Sequence, residues 1–105
     1  MLDVRNVTMQ AAAVAYQLTG ALPKGKNLGD QLRRAAASVA LNTAEGLGFG
    51  GARKVNFLAI AYSSCREAQA ATQLLAVTGQ VDLEAGRELW RLLDRAGAML
   101  YRLSR

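Results

Sequence analysis

Gln31, Arg34, Ser38, Asn42 and Glu45 recur every three or four residues, a spacing that places them on one side of an α-helix. Leu28, Leu32, Ala35 and Val39 recur at the same period immediately beside them. A surface helix normally turns its polar residues to water, opposite the apolar stripe. Here the two stripes are neighbours, so the polar groups are expected to enter an interface. There each must find a partner, because an unpaired buried polar group costs about 1–3 kcal/mol and an unpaired charge more. Glu67, seven residues from both Ile60 and Leu74, shares their face of a later helix and is the expected partner of Arg34. Such a buried ion pair fixes register more than it adds stability. The chemical alternative is acid–base work by Glu45 and Glu67, which requires environments that separate their pKa values. Nothing beside them supplies a nucleophile, a cofactor loop or a metal set. Structural pairing is therefore the expectation, with no catalytic residue and no enzymatic activity.

The chain has no histidine and a single cysteine. Ser-His and Cys-His dyads are thus excluded, and a zinc site lacks its ligands. No cofactor or metal is expected, and Cys65 reads as a small buried apolar residue. The run Gly46-Leu47-Gly48-Phe49-Gly50-Gly51 matches G-x-G-x-x-G in letters. The dinucleotide fingerprint needs a strand before it and a helix after it. A helix precedes it here, and Ala52-Arg53 replaces the Lys-Ser/Thr of a phosphate loop. Nucleotide binding is rejected. Arg53 and Lys54, beside glycine amides at a helix start, remain candidates for a phosphate of a larger polyanion.

A second basic constellation lies near the C-terminus. Arg87, Arg91, Arg95 and Arg102 share one helix face, with Arg105 beyond. Glu84, Glu88 and Asp94 intersperse with them and are spaced to pair, so a solvated face is the simpler reading. The functional reading is a ridge that contacts phosphates. Trp90 and Tyr101 lie beside this ridge, where an aromatic side chain can stack on a base. They can equally sit between subunits, where Trp, Tyr and Arg are enriched; the interface is slightly preferred.

The elements that must position these residues are helical. The 105 residues are 51% hydrophobic, rich in Ala and Leu, and form a single domain over 1–105. Periodicity predicts helices over 3–19, 27–46, 52–78 and 83–103. Gly20 and Pro23 end the first, Asn27 and Asp30 cap the second, Gly46–Gly51 separates it from the third, and Gly79 and Asp82 lead into the fourth. Short connections between helices of similar length predict an all-α, up-down-up-down antiparallel four-helix bundle. No apolar run is long enough to cross a membrane, and the first residues, with Asp3, Arg5 and Gln10, lack a leader layout. A cytoplasmic protein is expected. The net charge of +5 is spread thinly and biases the chain toward polyanions only weakly.

Leu22-Pro23, then Leu28-x-x-Gln31-x-x-Arg34-Ala35-x-x-Ser38-x-x-x-Asn42-x-Ala44-Glu45-Gly46, resembles the signature of the bacterial four-helix bundle proteins, also called 23S ribosomal RNA intervening-sequence proteins. Phe57-Leu58-x-Ile60-Ala61-x-x-Ser64-x-x-Glu67, followed by Gln73-Leu74 and Gly79, continues the match over about residues 4–103. The resemblance implies a homopentameric ring of four-helix bundles. It also implies a distant similarity to the accessory variability proteins of diversity-generating retroelements, which bind nucleic acid and a reverse transcriptase. Carried onto this chain, the family's polar positions are Gln31, Arg34, Ser38, Asn42, Glu45 and Glu67. The chain departs from the pattern at Phe49 and Gly51, where a basic residue and a Ser or Thr cap are usual, and at Tyr62-Ser63. Phe49 therefore reads as a packing or partner-docking residue.

The expected function is a non-enzymatic, homo-oligomeric accessory scaffold. It would bind RNA or DNA, and a reverse transcriptase or other protein, through Arg53, Lys54, Arg87, Arg91, Arg95, Arg102 and Arg105. The alternative is an adaptor ring without nucleic-acid binding, with hot spots at Phe49, Trp90 or Tyr101.

Overall fold

The computed structural model describes residues 3–25 and 27–104. Helices α1 (Val4–Leu18), α2 (Leu28–Leu47), α3 (Gly51–Val77) and α4 (Leu83–Leu103) each lie within one residue of the bounds read from periodicity. Their starts are set by side chains. The carboxylate of Asp3 accepts the Asn6 N–H at 2.9 Å, Asn27 Oδ1 accepts the Asp30 N–H at 3.0 Å, and Asp82 accepts the Ala85 N–H at 3.0 Å. Each cap satisfies one of the amide donors that a helix leaves open at its first turn. α3 ends differently. Gly79 turns to a φ of 75°, a left-handed conformation that glycine adopts without a Cβ penalty. The N–H of Gln80 then reaches back to the Leu75 carbonyl at 2.9 Å.

Consecutive helices are neighbours, and α1 also packs on α4, which closes the bundle. The direction of packing follows from contacts between elements. Ser38 meets Ser64, Cys65 Sγ donates to the Leu93 carbonyl at 3.0 Å, and Gln69 reaches the Trp90 carbonyl and Asp94. As the number rises on one helix it falls on the next, so the neighbours are antiparallel. No strand occurs among the described residues.

Leu32, Leu58, Leu75, Leu89, Leu93 and Leu100 fill the core with Val7 and Val39, and alanines from every helix occupy the gaps. Each buried Leu contributes about 1.5–3 kcal/mol. Two glycines set the closest approaches. A Cβ on Gly46 would lie 3.0 Å from Phe57 Cβ, and one on Gly86 would lie 3.0 Å from Ala76 Cβ. Buried hydroxyls are satisfied within their own helices, with Thr43 and Thr72 each donating to a carbonyl one turn back at 2.7 Å. No buried side-chain nitrogen or oxygen lacks a partner among the described residues.

Two expectations from periodicity are corrected. The Arg34–Glu67 ion pair is not formed, and both side chains are exposed. The face of α3 that carries Ile60, Glu67 and Leu74 points to water, whereas Leu58, Cys65 and Thr72 turn inward beside Ala61, Ala68 and Leu75. The physical reason is that α3 mixes apolar and polar residues around its circumference, so the seven-residue spacing of Ile60, Glu67 and Leu74 does not by itself mark the core. The stripe of Ala61, Ser64, Ala68, Ala71 and Leu75, at alternating three- and four-residue spacing, is the one that turns inward. The buried arginine is the next residue along, Arg33. Its side chain donates to the Thr19 carbonyl at 3.0 Å and pairs with Asp30. The guanidinium beside Asp30 holds that carboxyl below its ordinary range.

Candidate functional site

The polar stripe is built on the α2 edge that meets α3. Ser38 and Asn42 are half-buried there. Ser38 Oγ lies 2.7 Å from Ser64 Oγ, and Asn42 Nδ2 donates to the Ser38 carbonyl and hydroxyl at 2.9 and 3.0 Å. Gln31, Arg34 and Glu45 remain exposed, as does Glu67 across on α3. Only the Ser38–Asn42–Ser64 segment is thus a network within the chain. Glu45 and Glu67 both sit in water, so nothing buries one carboxylate relative to the other for acid–base work. Exposed Leu41, Ile60 and Leu74 belong to the same two helices as the stripe.

The loop between α2 and α3 is held by its aromatics. Phe49 stacks on Phe57 with ring centroids 5.7 Å apart, and the Arg53 guanidinium lies 4.0 Å above the Phe49 ring. Phe49 is half-buried in this stack rather than presented outward, and Arg53 already holds a cation–π contact. Lys54 is half-buried.

The basic face of α4 is the most open part of the molecule that carries chemistry. Gly86, Leu89, Leu93, Ala96, Gly97 and Leu100 turn inward, which leaves Arg87, Arg91, Arg95 and Arg102 exposed on the opposite side. From Arg87 to Arg102 the face runs along about 22 Å of helix. Glu84, Glu88 and Asp94 offset most of the formal charge of these four arginines, although among the described residues only Glu84 forms an ion pair with one of them. Arg87 and Glu84 stand 3.9 Å apart with both side chains mostly in water, a contact of little energetic weight. Asp94 accepts from Gln69 Nε2 at 3.3 Å, which engages it with α3. Arg91, Arg95 and Arg102 make no ion pair among the described residues. Arg105 lies outside the described residues.

Beside this face, two clefts follow the seam between α3 and α4. The first, of about 430 Å³, lies where α3 ends and α4 begins. Its floor is the close contact of Gly86 with Ala76, and Val77, Leu83 and Trp90 form its walls. Gln73, Arg87 and Arg91 complete the rim. The second, of about 280 Å³, holds Tyr62 and Tyr101, whose rings meet at a tilt with centroids 5.7 Å apart. Trp90 and Tyr101 thus flank one seam, as their spacing suggests, whereas Arg53 and Lys54 stand at the far end of α3 from the Trp90 cleft. Sequence reasoning missed Gln73, Val77 and Leu83. The available signal was Gly86, a residue without a side chain one turn before a tryptophan.

Cys65 is unsuited to chemistry. It is buried against Leu93 and Gly97, and burial pushes its thiol up to about 11. No group of three or more potential metal ligands occurs among the described residues, and none of the described helices is long and apolar enough to cross a membrane.

The four-helix fold recurs in a solved structure. A protein of unknown function from the S23 ribosomal protein family of Bacteroides thetaiotaomicron superposes with a TM-score of 0.87. The match covers 98% of this chain and 99% of that one at 19% identity, a likeness of fold. Comparison with curated proteins finds no match. The family model described as 23S rRNA-intervening sequence protein matches residues 1–102. By that match, spanning the polar stripe, the loop and nearly all of the arginine face, the chain belongs to the 23S rRNA-intervening sequence protein family.

Proposed function

We propose that this protein is a non-enzymatic, self-associating scaffold that binds nucleic acid through the outer face of α4. The observation that carries this reading is the exposure of Arg91, Arg95 and Arg102 without an ion pair among the described residues, next to Arg87 with only a long contact to Glu84. Guanidinium groups left in water on one face can exchange counterions for phosphates at little cost in broken contacts. Association multiplies the effect, because several copies of a +5 chain engage one polyanion with the later contacts made intramolecular. The surface suited to association is the α2–α3 face, where Leu41, Ile60 and Leu74 are exposed with Arg34, Glu45 and Glu67, which make no ion pair among the described residues. Charges of both signs beside apolar side chains make such a patch self-complementary. A ring of five, and a reverse transcriptase as protein partner, are carried by the family resemblance.

The deciding experiment is binding of nuclease-treated protein to a structured RNA and a DNA duplex across a salt series. Each arginine that contacts a duplex phosphate contributes about 0.9 to the log–log slope. Replacing Arg87, Arg91 and Arg95 by Gln is expected to lower both affinity and slope. Unchanged binding, or none at low salt, overturns the proposal.

A further inference from the structure

We infer that the cleft between the end of α3 and the start of α4 is a seat for an unpaired base of a single-stranded nucleic acid, with Trp90 as its stacking platform. The inference rests on the polyanion reading above and adds a site and a strand class to it.

Trp90 is 37% exposed and lines the cleft. Its backbone carbonyl accepts from Gln69 Nε2 at 3.5 Å, a further tie to α3. Val77, 68% exposed, and Leu83, 50% exposed, line the same cleft. Walls of this kind accept a flat apolar face and leave only its edge to be satisfied. One rim group is suited to that edge. The amide of Gln73 makes no hydrogen bond among the described residues and offers both a donor and an acceptor. The floor is low because Gly86 has no side chain, and a Cβ there would be only 3.0 Å from Ala76 Cβ. The cleft volume of about 430 Å³ falls within the range of about 300–1,000 Å³ usual for small-ligand clefts.

Charge selects the occupant. The cationic rim groups are Arg87 and Arg91, one helical turn apart, and both also belong to the arginine face. A strand that tracks this face would bring its phosphates to Arg87 and Arg91 and its base to Trp90. A positively charged track beside an aromatic platform is the usual combination for single strands, and it tolerates any sequence because every base has a π-face. A duplex keeps its bases stacked and cannot fill the cleft.

Trp90 is the only tryptophan in the chain, so its fluorescence reports on this cleft alone. The test titrates the full-length protein with end-labelled oligo(dT) and oligo(U), and with a DNA duplex. Strand binding is followed by anisotropy of the label and occupancy by Trp90 emission. Quenching by the single strands but not by the duplex is expected. Trp90→Leu should weaken single-strand binding by about 5- to 160-fold while leaving duplex binding unchanged, and Trp90→Phe, which keeps a ring, should retain most of it. Circular dichroism of both variants confirms that the bundle is intact. Single-strand binding with unchanged emission and an unaffected Trp90→Leu variant overturns the base seat and leaves the polyanion reading standing. No binding of any strand at low salt overturns both. A response of Trp90 to an acidic Glu/Leu helical peptide, with none to oligonucleotides, also overturns the seat and makes the cleft a peptide dock.

Discussion

Arg33 and Arg34 are adjacent and carry the same charge, yet only Arg33 should respond strongly to truncation. Arg33 is only 7% exposed and bridges two helices, with Nη1 donating to the Thr19 carbonyl at 3.0 Å. That carbonyl stands just past the end of α1, where the helix dipole favours a cation. Truncation to Ala removes a charge-assisted hydrogen bond worth about 1.5–3 kcal/mol. The carbonyl is not orphaned, because it also accepts the Leu22 N–H at 3.0 Å, so at that carbonyl only the bond itself is lost, and the Asp30 carboxylate loses its partner as well. Arg33→Ala is therefore expected to destabilise by about 1.5–3 kcal/mol, a fall in Tm of roughly 6–24 °C for a domain of this size. Arg34→Ala, at an exposed position, should stay within about 0.5 kcal/mol of the parent. The assay is urea unfolding followed by circular dichroism at one fixed protein concentration, since self-association would otherwise shift the midpoint.

The same contact has a pH signature. Asp30 is held below its ordinary carboxylate pKa chiefly by its hydrogen bond from Arg33. A carboxyl whose folded value is depressed adds stability that is complete above its unfolded value, about 3.9, and that disappears as pH falls through the folded value. The gap between parent and Arg33→Ala should thus narrow below about pH 4. Equal stabilities of Arg33→Ala and Arg34→Ala, or a gap that widens with acid, would refute the reasoning.

Gly46→Ala should be destabilising although it replaces glycine within a helix. The new Cβ would meet Phe57 Cβ at 3.0 Å and Leu58 Cδ2 at 3.1 Å, and overpacking of about 1–3 kcal/mol offsets a propensity gain of about 1 kcal/mol; a raised urea midpoint would disprove this. Cys65, with its thiol pushed up to about 11 by burial, should resist alkylation at neutral pH until the chain unfolds, as mass spectrometry across a urea series would show. Because the folded value is the higher one, its contribution to stability is complete at neutral pH and declines as pH rises toward about 11; Cys65→Ala should remove that part of the alkaline loss. Arg34→Glu should lower the sedimentation coefficient if the α2–α3 face mediates association, and Arg34→Glu with Glu67→Arg should restore it. An unchanged coefficient in Arg34→Glu places association elsewhere.

Helix bounds and caps were legible because they depend on residues within a turn or two of each other. Asn27 and Asp82 each satisfy an amide three residues on, and Gly79 adopts a backbone angle that suits glycine. The spacing of α4 marks the stripe Leu89, Leu93, Ala96, Leu100 and Leu103, of which the first four are buried and Leu103, at the last turn, is exposed. α3 was misread at Ile60, Glu67 and Leu74, which share a face that proves to be exposed. Seven-residue spacing told which residues travel together, but not which way they point.

The sequence by itself therefore determined the number, ends and antiparallel order of the helices, and the basic face of α4. Only tertiary structure decided that Arg33 rather than Arg34 is buried, that Ser38 meets Ser64, and that Gln73 and Val77 join Trp90 around one cleft. The reason is the range of the forces. Caps and propensities act between neighbours in the chain, whereas which side chains of two helices meet is settled by the surface they can bury against each other.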